Sequence, residues 1–383
     1  MTEGTATFSS AAIPGPSGSP GLATPTSSVT PPNSAGPVSS STATALAPGA
    51  GGSVTTTPTH SSTTTPSQSR QIPLTCAGHT RPVVQLQFSS FTLDNNYLLI
   101  SACKDGMPIL RDGITGDWVG TFLGHKGAVW SAKLNRDTSR AITASADFSA
   151  KLWDTYTGQE LLSFPHRHIV RTADFINDTH VVTGGTEKML RIFDLDHAGG
   201  NSGQCDIPAL ELEGHQGAIK HVSWDRTRSQ ILSAGDDKQI NVWDLRTPSP
   251  VHSYQLDDPI THMDLSADGE FVMGAAGKTI HFWDASSRQL VKSYTMPYEV
   301  SSVSIHPHHH TFVAGGSSDL WVHVYDFETG RELEVYKGHH GPIHTVSYSP
   351  DGEIYATGSE DGTIRLWQTT PGKIYGLWQP RRA

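Results

Sequence analysis

An aromatic residue followed by aspartate recurs at nearly constant spacing through this chain, and that period limits the fold more than any other feature. Trp153-Asp154, Phe193-Asp194, Trp243-Asp244, Trp283-Asp284 and Tyr325-Asp326 are five such endings; Trp367-Gln368 is a sixth with the acid replaced, and Arg111-Asp112 a degenerate seventh. From Arg111 onward they stand 42, 40, 50, 40, 42 and 42 residues apart, the length of a unit built from four short strands. The one long interval contains His197 to Pro208, rich in Gly, Asn, Ser and Pro, and reads as a surface-loop insertion.

A second mark keeps phase with the first. Gly78-His79, Gly124-His125, Gly214-His215 and Gly338-His339 open their units, His166 stands at the same phase after Pro165, and the fifth and sixth units lack the pair. Six residues before each closing position lies an acid, Asp105, Asp147, Glu187, Asp237, Asp319 or Asp361, with Gly277 there in the fifth unit. Between the marks, runs such as Ala128–Leu134, Ala141–Ser145 and Ala150–Trp153 are β-branched or alternating and are bounded by turns such as Pro350-Asp351-Gly352 and Asp361-Gly362. Such text predicts short strands joined by hairpins. The seven units therefore predict an all-β, seven-bladed propeller over residues 71–378, because closing the ring removes the open sheet edges that invite aggregation.

Composition bounds the rest. Residues 1–69 carry one charged side chain, Glu3, among mostly Ser, Thr, Pro, Gly and Ala, so residues 1–70 are expected to be a disordered tail that cannot bury enough apolar area to offset its ordering entropy. Ser19, Thr24, Thr30, Thr57 and Thr65 each precede proline there, a pattern open to proline-directed phosphorylation. Residues 379–383 form a short C-terminal tail. No basic, then apolar, signal segment and no run of about 18 apolar residues occurs, so neither secretion nor a membrane partner is expected. Residues 71–383 hold 26 Lys and Arg against 36 Asp and Glu, an acidic balance that argues against direct nucleic-acid binding. Cys76, Cys103 and Cys205 include no C-x-x-C pair and read as reduced thiols of the cytoplasm or nucleus.

Several constellations imitate active sites. His125, Thr143, Asp147 and Trp153; His215, Ser233, Asp237 and Trp243; and His339, Thr357, Asp361 and Trp367 each contain the parts of a catalytic triad. A triad occurs once per site, whereas this set recurs at fixed phase in three units, so no catalytic residue and no small-molecule substrate is expected. Gly274–Thr279 (GAAGKT) ends like a phosphate loop but has Val272 where the first glycine belongs and no following helix, and no cofactor is expected. His306, His308, His309 and His310 fall at a hairpin tip without Cys or carboxylate nearby in sequence and read as a solvated turn, with no metal site. The sequon Asn177-Asp178-Thr179 has no secretory signal to give it meaning.

The Gly-His and Trp-Asp marks resemble those of the WD-repeat family. That resemblance implies that the first strand, near Leu74–Ala77, completes the last blade. It also implies that each His–Ser/Thr–Asp–Trp set forms a buried hydrogen-bond chain, valuable only if every member is satisfied. Longer phrases, Pro73–Val84, Leu99–Asp105 (LISACKD), Gly116–Trp130 (GDWVGTFLGHKGAVW), Tyr336–Ile343 (YKGHHGPI) and Gly358–Trp378, are similar to the serine/threonine kinase receptor-associated protein family. Arg111, His166 with His168, and Gln368 are departures shared with it. Subunit I of eukaryotic translation initiation factor three is the alternative, with a similar opening and a similar Gly-His-x-Gly-Ala-Val-Trp phrase.

What the first resemblance implies is a non-enzymatic scaffold in cytoplasm and nucleus. It would be an adaptor of the survival motor neuron complex for spliceosomal ribonucleoprotein assembly, with a further role in receptor-kinase signalling. Recognition residues belong on the loops of a rigid frame. The loops after the Gly-His phase and before the turn acid place Arg81, Lys104, Lys126, Trp130, Arg167, Arg171, Lys220, His340 and His344 on one face, with Asp236 and Glu360 among them. Trp130 and the arginines are the candidate hot spots, and the basic group is expected to favour an acidic partner segment.

Overall fold

The computed structural model describes residues 71–92, 94–196 and 203–370, and every regular element among them is a β-strand. The expectations for the tails, and the phosphorylation sites within the first of them, lie outside the described residues. Seven four-stranded antiparallel sheets follow one another along the chain. Blade 1 runs from Val83 to Thr121, blade 2 from Val129 to Pro165, blade 3 from Val170 to Glu213, blade 4 from Ile219 to Gln255, blade 5 from Ile260 to Thr295 and blade 6 from Val300 to Lys337. Blade 7 takes three strands from Ile343–Gln368 and its outer strand, Leu74–Cys76, from the other end of the chain. Leu74 pairs with Leu366, Thr75 with Arg365 and Cys76 with Ile364, so the ring is closed by backbone hydrogen bonds.

The hydrophobic positions of the repeat form the contacts between blades. Ile142, Leu152 and Phe164 of blade 2 meet Val170, Ala173 and Phe193 of blade 3, with the Phe164 and Phe193 rings 4.8 Å apart. Burying one such large apolar side chain stabilises by roughly 1.5–3 kcal/mol. Every junction repeats the arrangement, which is why the period must hold around the whole ring.

Two devices finish the inner strands, whose free edges face the central channel. In all seven blades the register slips at the same place, between Val83 and Gln85, Val129 and Ser131, Val170 and Thr172, Ile219 and His221, Ile260 and His262, Val300 and Ser302, and Ile343 and Thr345. A bulge leaves one residue unpaired and re-aims its side chain. Further along, side chains cap the edge N–H groups of the next blade. Gln85 and Gln87 accept from Ala132 and Leu134, Thr172 and Asp174 from Val222 and Trp224, Ser302 and Ser304 from Val346 and Tyr348, and Thr345 from Leu86.

Two expectations need revision. Part of the blade 3 insertion is no free loop: Gln204 bridges Ser163 on the outer strand of blade 2, the Cys205 N–H donates to the Ser163 carbonyl at 2.9 Å, and the Cys205 thiol is buried between the two blades. The insertion thereby covers an edge whose backbone groups would otherwise stay open. The histidine turn of blade 6 does have carboxylates close by, supplied by blade 5: His309 Nε2 lies 2.7 Å from Asp268 and its Nδ1 3.9 Å from Glu270. Sequence distance concealed a contact between neighbouring blades. The turn is thereby packed against blade 5 and is not a freely solvated tip. Gly274–Thr279 spans a strand-to-strand turn in which Gly277 sits against the Asp258 carboxylate, a poor setting for phosphate.

Candidate interaction face

The three recurrent sets are assembled as connected chains. In blade 4 the Trp243 indole N–H donates to Ser233 Oγ at 2.7 Å, Ser233 Oγ lies 2.6 Å from His215 Nε2, and His215 Nδ1 lies 2.7 Å from Asp237 Oδ2. A direction follows from these contacts: the indole donates to the hydroxyl, the hydroxyl to Nε2, and the Nδ1–H to the carboxylate. Burial lowers the pKa of His215 despite Asp237, in keeping with a neutral ring. Asp237 Oδ2 also accepts the Gln216 N–H at 2.8 Å, tying the loop after His215 to the turn. Blade 2 repeats this with His125, Thr143, Asp147 and Trp153, and blade 7 with His339, Thr357, Asp361 and Trp367. Burial resists ionisation of Asp147 and Asp361, yet the hydrogen bonds they accept lower both pKa values.

Sequence reasoning missed variants of the chain in three other blades. In blade 1, His79 joins Asp105 at 2.9 Å and Ser101 at 2.8 Å. Burial opposes ionisation there too, but the bonds from His79 and the Met107 N–H hold Asp105 at about 2. Buried Arg111 takes the indole's place, donating to the carbonyls of Ala77 and Gly116 beneath the Trp118 ring. In blade 3, Arg191 is inserted between His166 and Glu187, 3.0 Å from His166 Nδ1 and 2.5 Å from the carboxylate. Blade 6 draws its histidine from the third strand, where His323 bridges Asp319 and Glu332 at 3.1 and 2.7 Å. Matching only the Gly-His phase could not find His323; its signal is an acid four residues before it and another nine after.

The candidate binding residues divide by position. Trp130, Arg171, Lys220 and His344 are the bulged residues of their inner strands, and Lys104 sits in the turn beside them. The bulge sends these side chains to the mouth of the channel. The Arg171 guanidinium stacks 3.8 Å from the Trp130 ring centre and Lys104 Nζ lies 5.8 Å from it. The basic residues do not form an unbroken cationic patch, because acids are threaded between them: Lys220 pairs with Asp236 at 2.5 Å, Lys104 reaches Glu360 at 4.0 Å, and His344 bonds the same carboxylate. Arg81, Lys126, Arg167 and His340 are exposed further out, on loops whose backbone is pinned by the turn acids of blades 1, 2, 3 and 7. The face is a rigid mouth centred on Trp130, whose indole nitrogen is shielded from solvent and has no hydrogen-bond partner among the described residues. Such a surface suits recognition of a partner segment.

Comparison with known proteins agrees with the geometry. The repeat described as "WD domain, G-beta repeat" matches residues 116–154, 207–244, 248–284 and 330–368. These are the four units that close on tryptophan, while those closing on Arg111, Phe193 and Tyr325 escape it. Serine-threonine kinase receptor-associated protein of Homo sapiens is 50% identical over 311 residues, 81% of this chain and 86% of its own length. The Dictyostelium discoideum protein of that name is 50% identical over 298 residues, 77% of this chain and 98% of its own. Eukaryotic translation initiation factor 3 subunit I of Culex quinquefasciatus is more distant, 31% identical over 317 residues, 77% and 95% of the two chains. WD-repeat propellers of this kind are non-catalytic scaffolds for protein interaction. The chain belongs to the WD-repeat family and, within it, to the serine-threonine kinase receptor-associated proteins.

Proposed function

We propose that this propeller is an adaptor of the survival motor neuron complex, working in cytoplasm and nucleus during assembly of spliceosomal ribonucleoproteins. The observation that carries the reading is identity of 50% with receptor-associated relatives across nearly the whole propeller, against 31% with the initiation-factor subunit. A protein partner, and no nucleic acid, would dock on the mouth around Trp130, with the arginine stacked on it as the anchor. The name of those relatives also speaks of kinase receptors; the same mouth would serve that contact where such receptors exist. The test is affinity capture of the full chain from its own cells followed by protein identification. Survival motor neuron components and Sm proteins are expected. Recovery of the large initiation-factor assembly in their place would overturn the proposal.

A further inference from the structure

The channel end opposite the Trp130 mouth opens into a funnel of about 630 Å³. All seven blades line it through the ends of their inner strands and the turns that follow. Its floor holds an unequal set of charges. Lys133 Nζ, nearly sealed from solvent, lies 3.0 Å from Asp174 and donates to the Val222 carbonyl, while Asp264 stands beside them. Burial works against the Lys133 ammonium, but Asp174 and Asp264 together raise its pKa. One cation thus faces two carboxylates, and the floor carries one net negative charge.

Asp174 has a structural explanation: it bonds Lys133 and caps the Trp224 N–H. Asp264 is engaged less fully. It occupies the same strand position as Gln87, Asp174 and Ser304, each of which caps an N–H of the following blade, yet it caps nothing in blade 6. Its Oδ1 accepts from Ser223 Oγ at 3.2 Å and from the Leu265 N–H at 2.8 Å, and its Oδ2 has no hydrogen bond among the described residues. The carboxylate is therefore oriented in advance with one oxygen open. One pleat further into the channel, on the same face of the strand, His262 Nδ1 is shielded from solvent and also unpartnered. Burial lowers the His262 pKa to about 4, so its ring is neutral and adds no positive charge beside Asp264. Half-buried Trp224 adds an aromatic wall, and Arg136 and Arg226 stand exposed at the rim.

We propose that this funnel is a second binding site, distinct from the Trp130 mouth, that receives a single basic side chain of a partner peptide on Asp264. A guanidinium is the best fit, because its planar fork donates to more than one acceptor and stacks on an indole. The rim arginines oppose a second cation, so a lone arginine among neutral or acidic neighbours is selected over a basic run.

The test uses the full chain labelled at methionine and isoleucine methyl groups, since Met273 and Ile305 line the funnel. N-acetyl-arginine N-methylamide is titrated in and followed by NMR, with the citrulline and glutamate analogues as comparisons. The arginine compound is expected to shift the Met273 and Ile305 signals with a dissociation constant in the millimolar range, as suits one side chain held by few contacts. Citrulline, isosteric but uncharged, should leave them in place, and Asp264→Asn should weaken arginine binding about tenfold or more while melting like the wild type. The arginine–citrulline comparison needs no variant and stands even if Asp264→Asn folds poorly. Equal shifts with citrulline, no shift with arginine, or undiminished binding by a folded Asp264→Asn would each overturn the proposal. Shifts produced by the glutamate analogue alone would do so as well, by making the rim cations the binding groups.

Discussion

Replacing Asp237 with alanine tests the physical account of the blade chain most directly. Asp237 Oδ2 accepts from His215 Nδ1 at 2.7 Å and from the Gln216 N–H at 2.8 Å, and Oδ1 accepts from the Gln239 N–H at 3.4 Å. The His215 side chain is sealed from solvent, so its Nδ1–H would be left without an acceptor. One stranded buried donor costs about 1–3 kcal/mol, and bonds to a charged acceptor lie at the upper end. Gln216 is exposed and its N–H has water as an alternative, so the expected loss is about 2–4 kcal/mol. For a domain of this size that is a fall in Tm of roughly 5–10 °C. Ser233→Ala should cost a similar amount, since it removes the acceptor of the Trp243 indole and the donor to His215 together. Asp178→Ala, in an exposed turn with no side-chain hydrogen bond among the described residues, is the control and should stay within about 0.5 kcal/mol. Melting curves and urea titrations of the purified full-length variants supply the measurement. Equal stability of Asp237→Ala and Asp178→Ala would refute the reasoning.

The residue after the turn acid adopts a left-handed backbone in several blades, as glycine at Gly106 and Gly362 but as Phe148, Lys188 and Lys238 elsewhere; exposed Lys188→Gly should raise stability by about 0.5–1 kcal/mol in urea unfolding, and a loss would contradict this. Burial lowers the pKa of His262, and burial with Arg191 that of His166, each to about 4. Because the unfolded chain binds these protons first, stability should be full above about pH 6.5 and fall as pH drops towards 4, by an amount on the order of a few kcal/mol; a flat pH–Tm profile over that window would count against both burials. On the Trp130 face, Lys126→Glu with Arg167→Glu should abolish partner capture in a pull-down while leaving melting unchanged. Both positions are exposed, whereas Arg171 is wedged against Trp130 and would confound folding with binding; full retention of the partner would redirect attention to the blade edges.

Blade number and strand order were legible in the sequence because each rests on local chemistry repeated along the chain, whereas closure of the ring by Leu74–Cys76 was legible only through the resemblance to WD-repeat proteins, since its partners lie almost 300 residues away. An aromatic at Trp153, Trp243 or Trp367 marks the third strand of a blade wherever it occurs, and a turn acid followed by a hairpin needs only its neighbours in sequence. The members of the hydrogen-bond chains of blades 2, 4 and 7 were legible as sets recurring at one phase, and their linkage through the family resemblance. Where the local text departs from the pattern, tertiary structure made the choice. Arg111 works as a tryptophan substitute only because the Ala77 carbonyl, brought round from the closing strand, stands within its reach. His323 takes over a role that the Gly-His phase assigns to another strand, and Asp268 and Glu270 find His309 across a blade boundary. Sequence places Trp130, Arg171, Lys220 and His344 at one phase, but only the repeated bulge turns them into the channel mouth, and only the packed ring threads Asp236 and Glu360 between them. The Lys133–Asp174–Asp264 floor was invisible for the plainest physical reason: its three charges come from three blades, 41 residues or more apart in sequence, and meet only where seven inner strands converge on one axis.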